Sequence, residues 1–165
     1  MPSSVQHVVY DAQEVLQCYG DLVLRTAFMM LKNRADAEDA AQEVFLAFIR
    51  TKPEFDSAEH QKAWFLRVTM NRCKSVLRSA WHRKTQALDE AFPEEDFTER
   101  ETGVMQAVQQ LSQKYRAVIY LYYIQGYDTA EIARILDVPQ NTVLSRMARA
   151  RKQLKTMLEG GMDDV

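Results

Sequence analysis

"DTAEIARILDVPQNTVLSRMARARKQLKTML", Asp128 to Leu158, decides how this chain is read. Asp128 with Glu131 three places later has capping-box spacing, with Asp in the Ser/Thr role, and opens a short helix through Leu136. "DVP" then turns the chain, and a longer helix begins near Gln140 and fades at Gly160 and Gly161. A short capped helix, a tight turn and a second helix make a helix-turn-helix, whose second helix lies in the major groove of duplex DNA. On that second helix Val143, Met147, Ala150, Leu154 and Leu158 form an apolar seam. Thr142, Ser145, Arg146 and Arg149 share the opposite face near the N-terminal half, where base edges are reached. Lys152 and Lys155 lie further along and suit phosphates. From Val138 to Leu158 there are five basic residues and no acid, whereas a merely solvated helix interleaves Glu with Lys.

That positive stripe belongs to a chain of 165 residues whose net charge is -2, so the charges are sorted along the sequence. Gln61 to Lys84 holds seven basic side chains (Lys62, Arg67, Arg72, Lys74, Arg78, Arg83 and Lys84) and no carboxylate. Asp89 to Glu101 holds seven acids against one Arg. Two basic blocks therefore flank an acidic one. With 47% hydrophobic residues and only five glycines and four prolines, the composition is that of helices, and the predicted fold class is all-α. The expected architecture is two small helical domains, residues 8–84 and 103–160, joined by an acidic linker at 85–102 that loses periodicity and contains Pro93.

Within the first domain, apolar positions from Val15 to Leu31, including Leu16, Tyr19, Leu22 and Val23, recur every three or four residues and predict one helix. A second helix opens on Asp36, Glu38 and Asp39, carboxylates that suit a helix N-terminus, and buries Ala37, Ala40, Ala41, Val44, Phe45 and Phe48 before Pro53 ends it. A third, from about Glu59 to Arg83, packs Phe65, Val68, Val76, Leu77 and Ala80 inward. Its other face carries Trp64, Arg67, Asn71, Lys74, Arg78 and Trp81. Duplex binding needs cations alone, while unpaired bases also need flat surfaces to stack on, so this mixed face points to single strands. The two tryptophans can equally belong to the core, their commoner fate. In the second domain Val104–Leu111 and Tyr115–Ile124 read as helices, with Gly126 as a closing residue.

Other function classes find little support. Cys18 and Cys73 have no CxxC companion and sit in apolar helical patterns where a small buried thiol is expected, and the three histidines show no ligand spacing. No metal and no cofactor is expected. GxxxxGK[ST], GxGxxG and HExxH are missing, and the acids Glu94, Glu95 and Asp96 fall in the linker, so the chain is not expected to be an enzyme. No apolar run approaches the roughly 20 residues that cross a bilayer, and the first residues lack a signal peptide's features, which predicts no membrane insertion and a cytoplasmic location.

Three stretches, "DAEDAAQEVFLAFIR" (36–50), "KAWFLRVTMNRCKSVLR" (62–78) and "QLSQKYRAVIYLYYIQGYDTAEIARILDVPQNTVLSRMARARKQL" (110–154), resemble, in order, the second and fourth conserved regions of the extracytoplasmic-function sigma factors of bacterial RNA polymerase. The resemblance implies a subunit that performs no chemistry, binds core polymerase through its β′ and β subunits, and directs promoter-specific initiation. Asp36, Glu38, Asp39, Gln42 and Glu43 would meet basic helices of β′. The Pro53–His60 loop with Trp64, Arg67, Asn71, Lys74 and Arg78 would hold the melted minus-ten element. Thr142, Ser145, Arg146, Arg149 and Lys152 would read the duplex minus-thirty-five element. An anti-sigma protein is a further candidate partner. The chain departs from the family pattern with Asp137 and Asn141 in place of frequent glycines, Leu144 in place of Lys and Ser75 in place of an acid. The alternative from the residues alone is a dimeric helix-turn-helix regulator on palindromic duplex DNA.

Overall fold

A computed structural model describes residues 7–83 and 99–163, with side chains placed for 7–79 and 103–160. Every regular element among the described residues is helical. The chain divides into two compact units, 1–89 and 90–165. Most of the stretch read as an acidic linker lies outside the described residues, as do the side chains of Ala80 and Trp81.

The first unit is a three-helix assembly of α1 (Ala12–Leu31), α2 (Arg34–Thr51) and α3 (Ala58–Arg83). Helix α1 starts three residues before Val15, because the Asp11 carboxylate accepts the Glu14 N–H at 3.2 Å. Lys32, at φ 56°, ends it in the left-handed region, and Asn33 at once caps α2 by accepting the Asp36 N–H at 2.9 Å. Two residues thus suffice to reverse the chain. Lys52 closes α2 in the same left-handed way, donating its N–H to Phe48, and Pro53 follows.

The α2 stripe is as anticipated: Ala37, Ala40, Val44 and Phe48 are buried, and Phe45 and Ala41 half-buried. Their partners are Val15, Tyr19 and Val23 of α1 and Phe65 of α3, with Phe65 stacked 4.6 Å from Tyr19 and 5.5 Å from Phe48. Each such side chain taken from water contributes roughly 1.5–3 kcal/mol. Helix α3 buries Leu66, Thr69, Met70 and Cys73 beside Phe65, while Val76 and Leu77 are only half-buried. Two expectations fail in α1: Leu16 is 56% exposed, and Cys18 is exposed rather than buried. Both lie off the narrow stripe Val15, Tyr19, Val23 that faces the other helices.

The second unit contains α4 (Glu99–Gln110), α5 (Gln113–Ile119), α6 (Thr129–Leu136) and α7 (Gln140–Asp163). Helix α4 begins inside the stretch read as linker. The Arg116 guanidinium, buried, donates to the Leu111 carbonyl and closes the turn between α4 and α5. Helix α5 runs on into a π-helical turn, Tyr120–Ile124, in which the Gln125 N–H reaches back five residues to the Tyr120 carbonyl at 3.0 Å. Gly126, at φ 79°, then terminates it as the sequence suggested, and the Tyr127 N–H bonds the Leu121 carbonyl.

Candidate nucleic-acid interface

The helix-turn-helix is built as its sequence indicates. Asp128 caps α6 by accepting the Glu131 N–H at 2.8 Å, and that bond holds the Asp128 carboxyl below the usual carboxylate range. Glu131 is displaced upward, by desolvation first and then by the neighbouring Asp128 carboxyl. Asp137 takes the left-handed conformation (φ 54°, ψ 52°) that ends α6, a position an Asp tolerates better than most residues. The Pro139 carbonyl accepts the Thr142 N–H, starting α7, and Gln140 Nε2 donates to Thr129 Oγ1 at 3.0 Å, tying the two helix starts together.

Val143, Met147 and Ala150 are buried and Leu154 is half-buried, so the inner seam of α7 is fixed. Leu158, expected in that seam, is 43% exposed because α7 has by then run past the elements it packs on. With the seam fixed, Thr142, Ser145, Arg146, Arg149 and Lys152 fall on one outward face: Ser145, Arg149 and Lys152 are exposed, Thr142 and Arg146 half-buried. Among the described residues no carboxylate pairs with Arg146, Arg149 or Lys152. Lys155 stands 3.9 Å from Glu159, an exposed i,i+4 contact of little energy. Arg151, a member of the same basic stretch, points elsewhere. Its Nε donates to the Tyr123 hydroxyl at 2.9 Å, and the guanidinium lies 5.5 Å from the Tyr122 ring and 5.7 Å from that of Tyr123.

In the first unit Arg67, Asn71, Lys74 and Arg78 are exposed along one side of α3, at steps of four, three and four residues. His60 and Trp64 extend the row toward the helix N-terminus. Trp64 proves to be neither wholly core nor wholly surface. It is half-buried, and its ring meets Phe48, Phe55 and Phe65 edge-on at 5.9, 5.9 and 5.0 Å. Packing against three rings locks the indole while leaving part of it in solvent. The stretch expected as a Pro53–His60 loop gives its last three residues to α3, and bonds across the helix start hold it: Asp56 N–H donates to His60 Nδ1 at 3.3 Å and His60 N–H to Ser57 Oγ at 3.1 Å. Burial lowers the Lys62 ammonium below its ordinary value, which sets this residue apart from the solvated cations of the row.

On α2, Glu38, Asp39, Gln42 and Glu43 are exposed and Asp36 is half-buried. Glu38 also pairs with Arg34 at 3.1 Å. What the sequence did not reveal is the apolar groove beside them. Leu16, Gly20 and Leu24 of α1 face Ala41, Phe45, Leu46 and Ile49 of α2 across a volume of about 490 Å³, with Glu38 and Gln42 in its walls. Leu46 and Ile49 are 41% and 51% exposed. The clue in the sequence is the run "VFLAFI" (44–49), more apolar residues than one helix face can bury.

No described helix is long and apolar enough to cross a membrane, and the described residues contain no group of three metal-ligating side chains. Comparison with known proteins gives matches to both halves. Residues 15–83 match sigma-70 region 2 and residues 102–154 match sigma-70 region 4. The chain is 34% identical over 137 residues to the ECF RNA polymerase sigma factor SigM of Mycobacterium tuberculosis, a match that covers 81% of this chain and 70% of that protein. The chain belongs to the ECF RNA polymerase sigma factors. It is also 29% identical over 163 residues to the ECF sigma factor SigW of Bacillus subtilis, covering 88% of this chain and 87% of the other. Among solved structures, the sigma factor RpoE of Bartonella quintana, in complex with the anti-sigma factor NepR, has a TM-score of 0.75 at 21% identity, covering 92% of this chain and 98% of the other. CnrH, in complex with the cytosolic domain of CnrY, has a TM-score of 0.64 at 21% identity, covering 90% and 88%. Family membership makes this ECF sigma factor an alternative RNA polymerase sigma factor, a transcription initiation factor. It displaces the dimeric-regulator reading.

Proposed function

We propose that this ECF sigma factor divides promoter recognition between its two units, 8–84 and 103–160. The outward face of α7, Thr142, Ser145, Arg146, Arg149 and Lys152, reads the minus-thirty-five element in the duplex, its arginines suited to guanine edges and its lysine to phosphate. The α3 row, Trp64, Arg67, Asn71, Lys74 and Arg78, holds the melted minus-ten strand. The observation that carries the reading is chemical segregation: one basic face is aromatic-rich and the other is not, within one chain, and opened and paired DNA demand that difference.

Core polymerase is met on α2. Asp36, Glu38, Asp39, Gln42 and Glu43 supply charge for basic helices of β′, and the Leu16–Leu46–Ile49 groove beside them supplies apolar area, the usual pairing of rim and centre in a protein interface. The second unit engages β. The protein acts in the cytoplasm without catalysis of its own, and an anti-sigma protein governs when it is available, as the complexes of RpoE with NepR and of CnrH with CnrY suggest by analogy.

Reconstitution tests this. Added to core polymerase, the chain is expected to co-elute with it and to produce transcripts from a subset of promoters, identified by sequencing the RNA made. Unchanged transcription together with separate elution would dispose of the reading. Leu46→Glu or Ile49→Glu is expected to weaken co-elution while leaving duplex binding by α7 intact.

A further inference from the structure

Ahead of α1, the chain is held by a side chain from far along the sequence. Gln61 of α3, 0% exposed, accepts the Val9 N–H at 3.0 Å and donates Nε2 to the Val9 carbonyl at 2.6 Å, pairing with that residue as a neighbouring strand would. The Tyr19 hydroxyl donates to the same Gln61 oxygen at 3.4 Å. Two bonds to one residue fix the direction in which the backbone leaves it, and so fix where Tyr10 goes. Tyr10 is 55% exposed, yet its ring lies 6.5 Å from that of Phe55 with the planes 19° apart, and its hydroxyl accepts the Phe55 N–H at 3.3 Å. Phe55 in turn meets His60 and Trp64 edge-on at 5.4 and 5.9 Å. These last two residues begin the row that continues through Arg67, Asn71, Lys74 and Arg78, roughly 27 Å along the helix from His60 to Arg78 at 1.5 Å per residue.

A tyrosine more than half in solvent gains little from burial, so core packing does not explain why the arm is anchored to deliver it there. The geometry explains more. The Tyr10 ring is the outer leaf of a stack whose inner leaf, Phe55, is wedged against the α3 row. The hydroxyl accepts from Phe55 and keeps its own hydrogen for a second acceptor. We propose that Tyr10 contacts DNA: an unpaired base stacks on its outward ring at the aromatic end of the α3 row, and its hydroxyl donates to an acceptor on that nucleotide. Gln61 is then a positioning residue, acting through Val9. The proposal rests on α3 being the single-strand surface and adds a contact that comes from outside α3 and its preceding loop.

The test titrates the full chain into short single-stranded DNA oligonucleotides carrying a fluorescent adenine analogue that is quenched on stacking. Tyr10→Ala is expected to weaken binding by roughly fivefold or more, the effect of losing one stacked base, and to lower the quench. Tyr10→Phe keeps the ring and removes the hydroxyl, so it is expected to retain the quench while binding falls by a smaller factor. Arg67→Ala reports on the α3 row independently of Tyr10. Loss in Arg67→Ala with parental affinity and quench in Tyr10→Ala overturns the Tyr10 contact and leaves the row standing. A Tyr10→Phe variant that loses the quench as fully as Tyr10→Ala also overturns it, since the hydroxyl would then serve only to brace the loop. Parental binding in both Arg67→Ala and Tyr10→Ala overturns the α3 reading and the Tyr10 contact together.

Discussion

Along 61–84 and again along 138–158 the chain carries arginines and lysines with no acid among them, but only the first row ends in aromatic rings. The scaffolds behind the rows differ too. Helix α7 is backed by Val143, Met147 and Ala150, an aliphatic seam that sets the helix down and leaves Ser145, Arg149 and Lys152 exposed. Helix α3 is backed by Phe65, which touches Tyr19, Phe45, Phe48 and Trp64, so the rings that hold the core grade into the rings that reach the surface. Base edges in a duplex are recessed, and slender polar side chains on a protruding helix reach them. Unpaired bases present faces, which call for flat groups that do not yield. A shared basic composition therefore hides two surfaces, and what distinguishes them is what stands behind the cations.

The largest expected effect breaks one surface while sparing the other. Phe65→Ala removes the ring that packs against Tyr19, Phe45, Phe48 and Trp64 and is expected to cost about 3–5 kcal/mol there. Both tryptophans, Trp64 and Trp81, lie in that unit, so denaturation followed by tryptophan emission isolates it. Duplex binding by α7 is expected to survive. If duplex binding disappears with the emission change, the two surfaces are not independent.

A smaller effect sharpens the comparison within α7. Arg146→Ala or Arg149→Ala is expected to cost about 1–3 kcal/mol on duplex DNA and to relax base preference. Arg151→Ala is expected to stay within about 0.5 kcal/mol, because its guanidinium is already engaged by Tyr122 and Tyr123. Anisotropy titrations on one duplex series measure all three, and equal losses would mean that the basic stretch acts as undifferentiated charge.

The smallest effects concern the cysteines. Cys18 is exposed and is expected to react with a thiol reagent in the folded protein, while Cys73 reacts only on unfolding. Burial pushes the Cys73 thiol from its ordinary 9.0 up to about 12, and the Tyr19 hydroxyl, also chiefly by burial, from 10.0 to about 12. A group whose folded value is raised gives its full stabilisation below the unfolded value and loses it as pH climbs toward the folded one. The first unit is therefore expected to hold its stability below pH 9.0 and to weaken progressively toward pH 12. Cys73→Ala is expected to flatten the early part of that decline in pH-dependent denaturation.

Periodicity carried most of the architecture. The buried faces of α2 and α7 and the cap of α6 are short-range patterns, and a single helix repeat contains them. The α1 and α2 starts, at Asp11 and Asn33, carry the same local signal as α6, a carboxylate at the third helical position (Glu14 and Asp36), so these caps too are written in the sequence. Leu16 and Cys18 were misplaced because an apolar residue in a helix says nothing about how wide the buried stripe is. The residues that we propose complete an α3 site were out of reach for a deeper reason. Val9 and Gln61 are 52 positions apart, and Tyr10 and Phe55 are 45 apart; such pairs are made by the fold and leave no local trace. Trp64 shows the limit of a two-way choice, since packing and exposure are both true of it.

The widened turn at Tyr120–Ile124 has an effect out of proportion to its length. Adjacent residues on a regular helix diverge around its circumference, but one surplus residue in a turn brings neighbours closer in azimuth, and the Tyr122 and Tyr123 rings stand only 4.9 Å apart. One guanidinium can then span both. The widened turn thereby engages Arg151 through two rings at once and sets it apart from the exposed Arg149 and Lys152 of the same helix.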